Sequence, residues 1–200
     1  ATERSGMTLA ALLLAAGQSS RMRGTDKLMM PVQGQPCLRI MVKRLLDAQL
    51  PVFVTVPDLQ HARNAALDGL DVIRVPVPTA NHGMAHSLAT GIMSLPSGST
   101  ASMVVPADMP SLKTSDFKRM VDEHKREPDL ILRAATDDGK PGHPVIFPRE
   151  FFDRLLQLTG DKGAQEVLRA NPKRLRYVAL PSDHATIDLD TPEDWEAWYT

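Results

Sequence analysis

The sequence predicts one α/β domain built on a mostly parallel sheet. Short apolar runs of strand length alternate with amphipathic segments along the chain, the pattern left by strands that return through helices. Its 200 residues are enough for one substantial α/β domain and too few for two comfortable ones. An apolar fraction of 42% and a charged fraction of 24% are ordinary for a globular chain.

Strands are predicted at 9–15, 52–56, 72–75, 102–105, 130–134 and 145–147, with two further short runs at 176–179 and 186–189. Helices are predicted at 37–48, 61–67, 85–94, 115–126, 149–158 and 164–170. In the first of these, Leu38, Met41, Val42, Leu45 and Leu46 recur at helical spacing, so one face packs on the sheet. A last helix starts in "DTPEDWEAW". Thr191 caps it, Pro192 suits its first position, and Glu193 and Asp194 favour its positive end. Trp195 and Trp198 are three apart and share a face. The proline-rich breaks at 76–78, 96–99 and 140–144 read as loops rather than linkers. The domain is taken as 7–200, with 1–6 set aside as an N-terminal extension or expression remnant.

A net charge of −1 argues against a general nucleic-acid binder, so any anion site must be local. The single cysteine, Cys37, rules out an internal disulfide or a four-cysteine zinc site; it is taken as a packing residue. A reducing cytoplasm fits. The apolar run 9–16 is too short to span a bilayer, and no signal peptide is read, so no membrane partner is expected.

The first strand runs into "LLLAAGQSSRMRGTDKL", residues 12–28. Gly17 lets the backbone turn and approach a ligand closely. Gln18, Ser19 and Ser20 add donors, and Arg21, Arg23 and Lys27 add charge. The stretch reads either as a solvated turn or as a cradle for a polyanion. It is neither a Walker loop nor a G-x-G-x-x-G fingerprint. In "VVPADMPSL", Asp108 follows a strand between two prolines. That is where open α/β sheets hold ligands and where Mg²⁺ takes a carboxylate, or where an aspartate simply closes a turn.

In "NHGMAHSLATGI", Gly83 precedes a helix whose first turn holds Ser87, a place to meet phosphate, ribose or base. His82 and His86 are four apart, but a zinc site needs a third ligand that the motif lacks. His143 in "GKPGHPVIFP" is either a substrate contact or a structural loop histidine. Lys162 lies in the polar loop "TGDKGAQEVL". In "IDLDTPEDW", Asp188 and Asp190 alternate, so on an extended segment both face one way; either one of them joins Asp108 at a metal, or they serve helix capping and solvation, a reading that is strong for Asp190.

Taken in order, these blocks resemble the MobA-like nucleotidyltransferases, and within them the molybdenum cofactor cytidylyltransferase branch. The resemblance runs from Leu9 to Trp198. It implies a Rossmann-like, three-layer α/β/α domain in which an acceptor phosphate attacks the α-phosphorus of a nucleoside triphosphate and pyrophosphate leaves. It also implies that Ala15, Ala16 and Gly17 lie against base and ribose, that Arg21 and Lys27 grip the triphosphate, and that Asp108 binds Mg²⁺. "Leu14-Ala15-Ala16-Gly17" matches cytidylyl-transferring relatives, where guanylyl-transferring ones have a second glycine. Arg23 is an insertion relative to the family pattern. The implied partners are CTP or another triphosphate, molybdopterin, and a recipient molybdoenzyme. The competing readings are nucleotidyl transfer to a sugar or polyol phosphate, and a carrier that delivers the cofactor without turnover.

Overall fold

The computed structural model describes residues 8–78, 83–160 and 163–200. A seven-stranded sheet forms its centre. The strands are β1 (Thr8–Leu14), β4 (Val52–Val56), β5 (Ile73–Pro76), β6 (Ser99–Pro106), β7 (Ile131–Ala135), β8 (Pro141–Pro148) and β9 (Leu175–Ala179). A separate ladder pairs β2 (Pro31–Val32) with β3 (Gln35–Pro36). The sheet order is β5-β4-β1-β6-β8-β7-β9, and β8 alone runs antiparallel to its neighbours. From β1 the chain builds outward to β4 and β5, then returns to place β6 on the other side of β1. The carboxyl ends of β1 and β6 therefore flank a topological switch point, where open α/β sheets bind ligands.

The helices are α1 (Cys37–Asp47), α2 (Met84–Ser94), α3 (Thr114–Arg126), α4 (Phe152–Leu156), α5 (Gln165–Ala170) and α6 (Pro192–Tyr199). Alternation along β1 divides the core. Leu9, Ala11 and Leu13 face α1, α3 and α6, packing with Leu38, Met41, Phe117 and Trp195. Ala10 and Leu12 face α2, α4 and α5, packing with Leu88, Ile92, Phe152 and Leu168. This is the expected three-layer α/β/α arrangement. On the second face α2 comes close to the sheet, since a Cβ on Gly91 would lie 2.5 Å from Leu12 Cδ1.

Four local expectations are corrected. The segment 186–189 is not a strand; it crosses the carboxyl edge of the sheet, held by single bonds such as Leu189 N–H to Asp108 O (3.0 Å). The break at 140–144 is mostly strand, because a tight turn closed by Thr136 N–H to Lys140 O (2.9 Å) sends the chain straight back into β8. The helix at 61–67 is a 3₁₀ turn, Ala62–Leu67, in which Asn64 Nδ2 bonds the Asp58 and His61 carbonyls. The helix at 149–158 is a 3₁₀ turn followed by the five-residue α4. Among the described residues no helix is long and apolar enough to cross a membrane.

Cys37 starts α1 fully buried, with Sγ 3.4 Å from Ala107 O. Burial, and then the nearby Asp108 carboxylate, push its thiol up to about 12. A thiol-specific chromogenic reagent is expected to find no reactive cysteine in the native protein and one per chain in denaturant. Rapid reaction of the native protein would contradict this placement.

Candidate active site

The loop after β1 is shaped from beneath. Ala15 N–H donates to both Thr55 O and Thr55 Oγ1 at 3.1 Å, which ends the strand against β4. Met22 is buried in the 3₁₀ turn Ser20–Met22, and the residues flanking that turn, Ser19 and Arg23, are left-handed. Arg63, only 2% exposed, fastens the loop with every N–H it has. Nε and Nη2 grip the two Asp26 oxygens at 2.7 and 2.9 Å. Nη1 donates to Ala15 O and Gly17 O, both at 2.6 Å, and Nη2 also reaches Ser19 Oγ at 3.0 Å. Burial alone would raise the Asp26 carboxyl, but Arg63 outweighs it and holds the group below its ordinary value.

The facing loop, after β6, is held in a similar way. Ala107 N–H bonds Leu14 O at 3.2 Å, tying the two strand ends together. Buried Arg44 on α1 donates from Nη1 to Pro110 O (2.6 Å) and Leu112 O (2.7 Å). Asp108 is thereby fixed at the switch point. The third contributor is the crossing segment before α6. His184 Nδ1 lies 2.8 Å from Asp116 Oδ2, and His143 N–H donates to Ala185 O at 2.8 Å. A Cβ on Gly142 would sit 1.7 Å from that carbonyl, so only glycine permits this approach. At the end of the segment a capping box fixes Asp190. Asp194 N–H donates to Thr191 Oγ1, while Asp194 Oδ2 accepts from the amides of Asp190 (3.0 Å) and Thr191 (2.9 Å). Trp195, 1% exposed, anchors α6 in the core.

These loops bring three carboxylates and two cations together. Lys27 Nζ donates to Asp108 Oδ2 at 2.6 Å and to Asp190 Oδ1 at 2.5 Å. Arg21 Nη2 pairs with Asp190 Oδ2 at 3.0 Å from an exposed position. One oxygen each from Asp108, Asp188 and Asp190 lies within 4.8 Å of the others, a hard-oxygen donor set suited to Mg²⁺ or Mn²⁺. Burial raises the Asp108 carboxyl, and the charges of Asp190 and Asp188 add to the rise against the pull of Lys27. Asp190 goes the other way: burial opposes it, but Lys27 and Arg21 hold it below its ordinary value. Lys27 is raised because Asp108 and Asp190 overcome the cost of its burial. With three acids facing two bases, the cluster favours one further cation.

The cluster stands in a wall between two cavities. The first, of about 440 Å³, is lined by Ala16, Gly17, Gln18, Gly83 and Ser87 among others. A Cβ on Gly17 would meet no protein atom within 4 Å, so the open space above it is not filled by the fold. Gly83, at φ 98°, turns the chain into α2. The second, of about 400 Å³, is lined by Arg21, Arg133, Lys140, His143, Asp188 and Asp190 among others. Lys27, Met84, Pro106 and Asp108 border both. A smaller apolar chamber of about 270 Å³ opens beyond Arg133 and His143 toward Leu88, Val145 and Phe147.

Of the residues singled out from sequence, Ala16, Gly17, Gly83, Ser87, Lys27 and Asp108 converge on the first cavity, and Arg21, His143, Asp188 and Asp190 on the second. Ala15 is buried behind the loop, with its carbonyl turned to Arg63. Arg23 points away, pairing with the exposed Glu193 at 2.6 Å. Lys162 and His82 lie outside the described residues. Sequence reasoning missed Arg63, Arg44, Arg133 and Lys140. Two of them left a signal: Arg133 is a lone cation inside the apolar run "LILRAA", and Lys140 stands just before the "PGHP" stretch.

A mostly parallel sheet with its polar cluster at the switch point defines an α/β protein whose ligand site lies at the carboxyl ends of its strands. Residues 11–176 match the MobA-like NTP transferase domain, and the chain belongs to that family of nucleotidyltransferases. It is 26% identical over 204 residues to the purine catabolism protein PucB of Bacillus subtilis, covering 94% of each chain. It is 24% identical over 190 residues to a probable molybdenum cofactor guanylyltransferase of Nostoc sp., covering 93% of this chain and 88% of the relative. Among solved structures, Rv0371c of Mycobacterium tuberculosis H37Rv superposes with a TM-score of 0.84 at 24% identity, covering 96% of this chain and 97% of that one. The same protein has also been crystallised with manganese.

Burial, reinforced by the charge of Arg133, pushes the His143 imidazole down to about 4. His143 is thus neutral when folded near pH 7, whereas the unfolded chain takes up its proton near pH 6.5. Its contribution to stability is complete above that value and is lost as pH falls toward 4. The native protein is expected to lose stability there by up to about 1.4 kcal/mol per pH unit from this group. His143→Gln should flatten that part of the curve in urea titrations run from pH 7 to 4. An unchanged slope would contradict the burial of a neutral imidazole.

Proposed function

We propose that this chain transfers CMP from CTP to the phosphate of the molybdenum cofactor, molybdopterin, in a Mg²⁺-dependent reaction that releases pyrophosphate. The observation that carries the reading is the Lys27–Asp108–Asp190 cluster standing in the wall shared by two cavities. In this reading the first cavity takes the nucleotide, with Ala16 and Gly17 against base and ribose and with Gly83 and Ser87 opposite. The second takes the acceptor beside His143, with Arg133 and Lys140 facing its anionic phosphate; Lys162, outside the described residues, is assigned to the acceptor from its sequence context alone. The reacting phosphorus then sits at their common border.

Triphosphate and phosphate monoester repel each other, and the chain's cations offset that repulsion. Arg21 and Lys27 hold the phosphates in line and balance the charge that grows on the leaving pyrophosphate. Asp108, with Asp188 or Asp190, holds the divalent ion, which when bound adds further neutralisation. The cytidylylated cofactor is then available to a recipient molybdoenzyme, in keeping with a cytoplasmic place of work.

A second reading is transfer of GMP from GTP, since three relatives are named as probable molybdenum cofactor guanylyltransferases. Ala16, which lines the first cavity, favours CTP by the resemblance to cytidylyl-transferring relatives, since guanylyl-transferring ones have a second glycine at that place. Pyrophosphate release across the four triphosphates, with and without molybdenum cofactor, is expected to be highest with CTP and cofactor together. Release with a sugar phosphate instead, or none with any pair, would overturn the assignment. Asp108→Asn is expected to lower kcat by about a hundredfold or more with the fold intact by circular dichroism. A carrier would keep cofactor delivery in that variant.

A further inference from the structure

We propose that Arg63 is a positioning residue that turns the backbone amides of Ala16 and Gln18 toward the nucleotide's phosphates. The inference rests on the first cavity being the nucleotide site. Arg63 borders neither of the two cavities and is almost wholly buried, so it acts through the loop and not by touching substrate. Its Nη1 holds the carbonyls of Ala15 and Gly17 at the same distance, 2.6 Å. In a trans peptide the C=O and the following N–H point in opposite directions. Among the described residues the one cis bond is His143–Pro144, so both loop peptides are trans. Drawing the two carbonyls onto Arg63 therefore aims the Ala16 and Gln18 N–H groups away from it. On that side Ala16, Gly17 and Gln18 line the cavity.

Neither amide donates to a protein acceptor among the described residues. The two N–H groups lie two residues apart on the side of the loop away from Arg63, the one on Ala16 largely covered at 1% residue exposure and the one on Gln18 exposed, with a glycine between them that leaves the space open, so each is aimed to donate to a phosphate oxygen of a ligand seated there. The remaining donors of Arg63 set the loop's curvature by holding Ser19 Oγ and both Asp26 oxygens. Lysine cannot replace this arrangement, because an ammonium has three donors and no planar fork.

The direct test is amide NMR of the wild-type protein titrated with CTP and, separately, with inorganic pyrophosphate. The N–H resonances of Ala16 and Gln18 are expected to show the largest shifts of the 15–20 loop with both ligands. Alongside it, Arg63→Lys and Arg63→Met are expected to raise KM and Kd for the triphosphate at least tenfold. KM for the acceptor and Mn²⁺ affinity should stay within about twofold, a split that general loss of stability would not produce. If CTP binds and the two amides do not move, or if folded Arg63→Lys binds CTP as the wild type does, the proposal is overturned while the nucleotidyl-transfer reading stands. If the wild type binds no triphosphate at all, both fall.

Discussion

One ammonium group ties together parts of the chain that are far apart in sequence. Lys27 reaches Asp108, at the end of the central strand β6, and Asp190, just before the last helix. Each partner is costly to bury alone, and together they hold one another in place. The arrangement exists only because the sheet reverses its order between β1 and β6. That reversal opens a crevice at the two carboxyl ends, and the loops that follow must meet across it. The crossing segment before α6 then closes the third side. Without it, Asp108 and Lys27 would be a simple pair and the cluster would lack two of its three carboxylates.

The precision of this meeting comes from residues that never face the crevice. Arg63 and Arg44 are buried cations whose Nη1 groups each hold two loop carbonyls, one arginine beneath each of the two facing loops. Carbonyls at chain turns have no ladder partner, and buried ones need a donor. Arginine supplies several from one rigid plane, which is why it serves here where lysine would not. Gly142 makes a complementary contribution by letting the crossing segment pack against β8 without a side chain between them.

Much of the fold was legible in the sequence, because strands and helices advertise themselves by local pattern. The run at 9–15, the helical spacing of Leu38, Met41 and Leu45, and the capping signals at Thr191 and Pro192 all concern neighbours in sequence. The polar loop after β1 and Asp108 after β6 were visible for the same reason. The crossing segment was misread as a strand because its alternating residues satisfy the local pattern, while its bonds go to single distant carbonyls. Arg63 could not be recognised at all. A charged residue in a short helical segment looks solvated, and its burial depends on carbonyls 46 and 48 positions away. The approach of Asp190 to Lys27, across 163 positions, is equally silent in any local window.

In the proposed reaction the carboxylates at the shared wall hold a divalent cation alongside the nucleotide. Titration of Mn²⁺ into the protein with a non-hydrolysable CTP analogue, followed by electron paramagnetic resonance, tests this directly. One bound Mn²⁺ per chain is predicted in the wild type, with the affinity falling at least tenfold in Asp108→Asn. Equal Mn²⁺ affinity in the wild type and in a folded Asp108→Asn variant would contradict it.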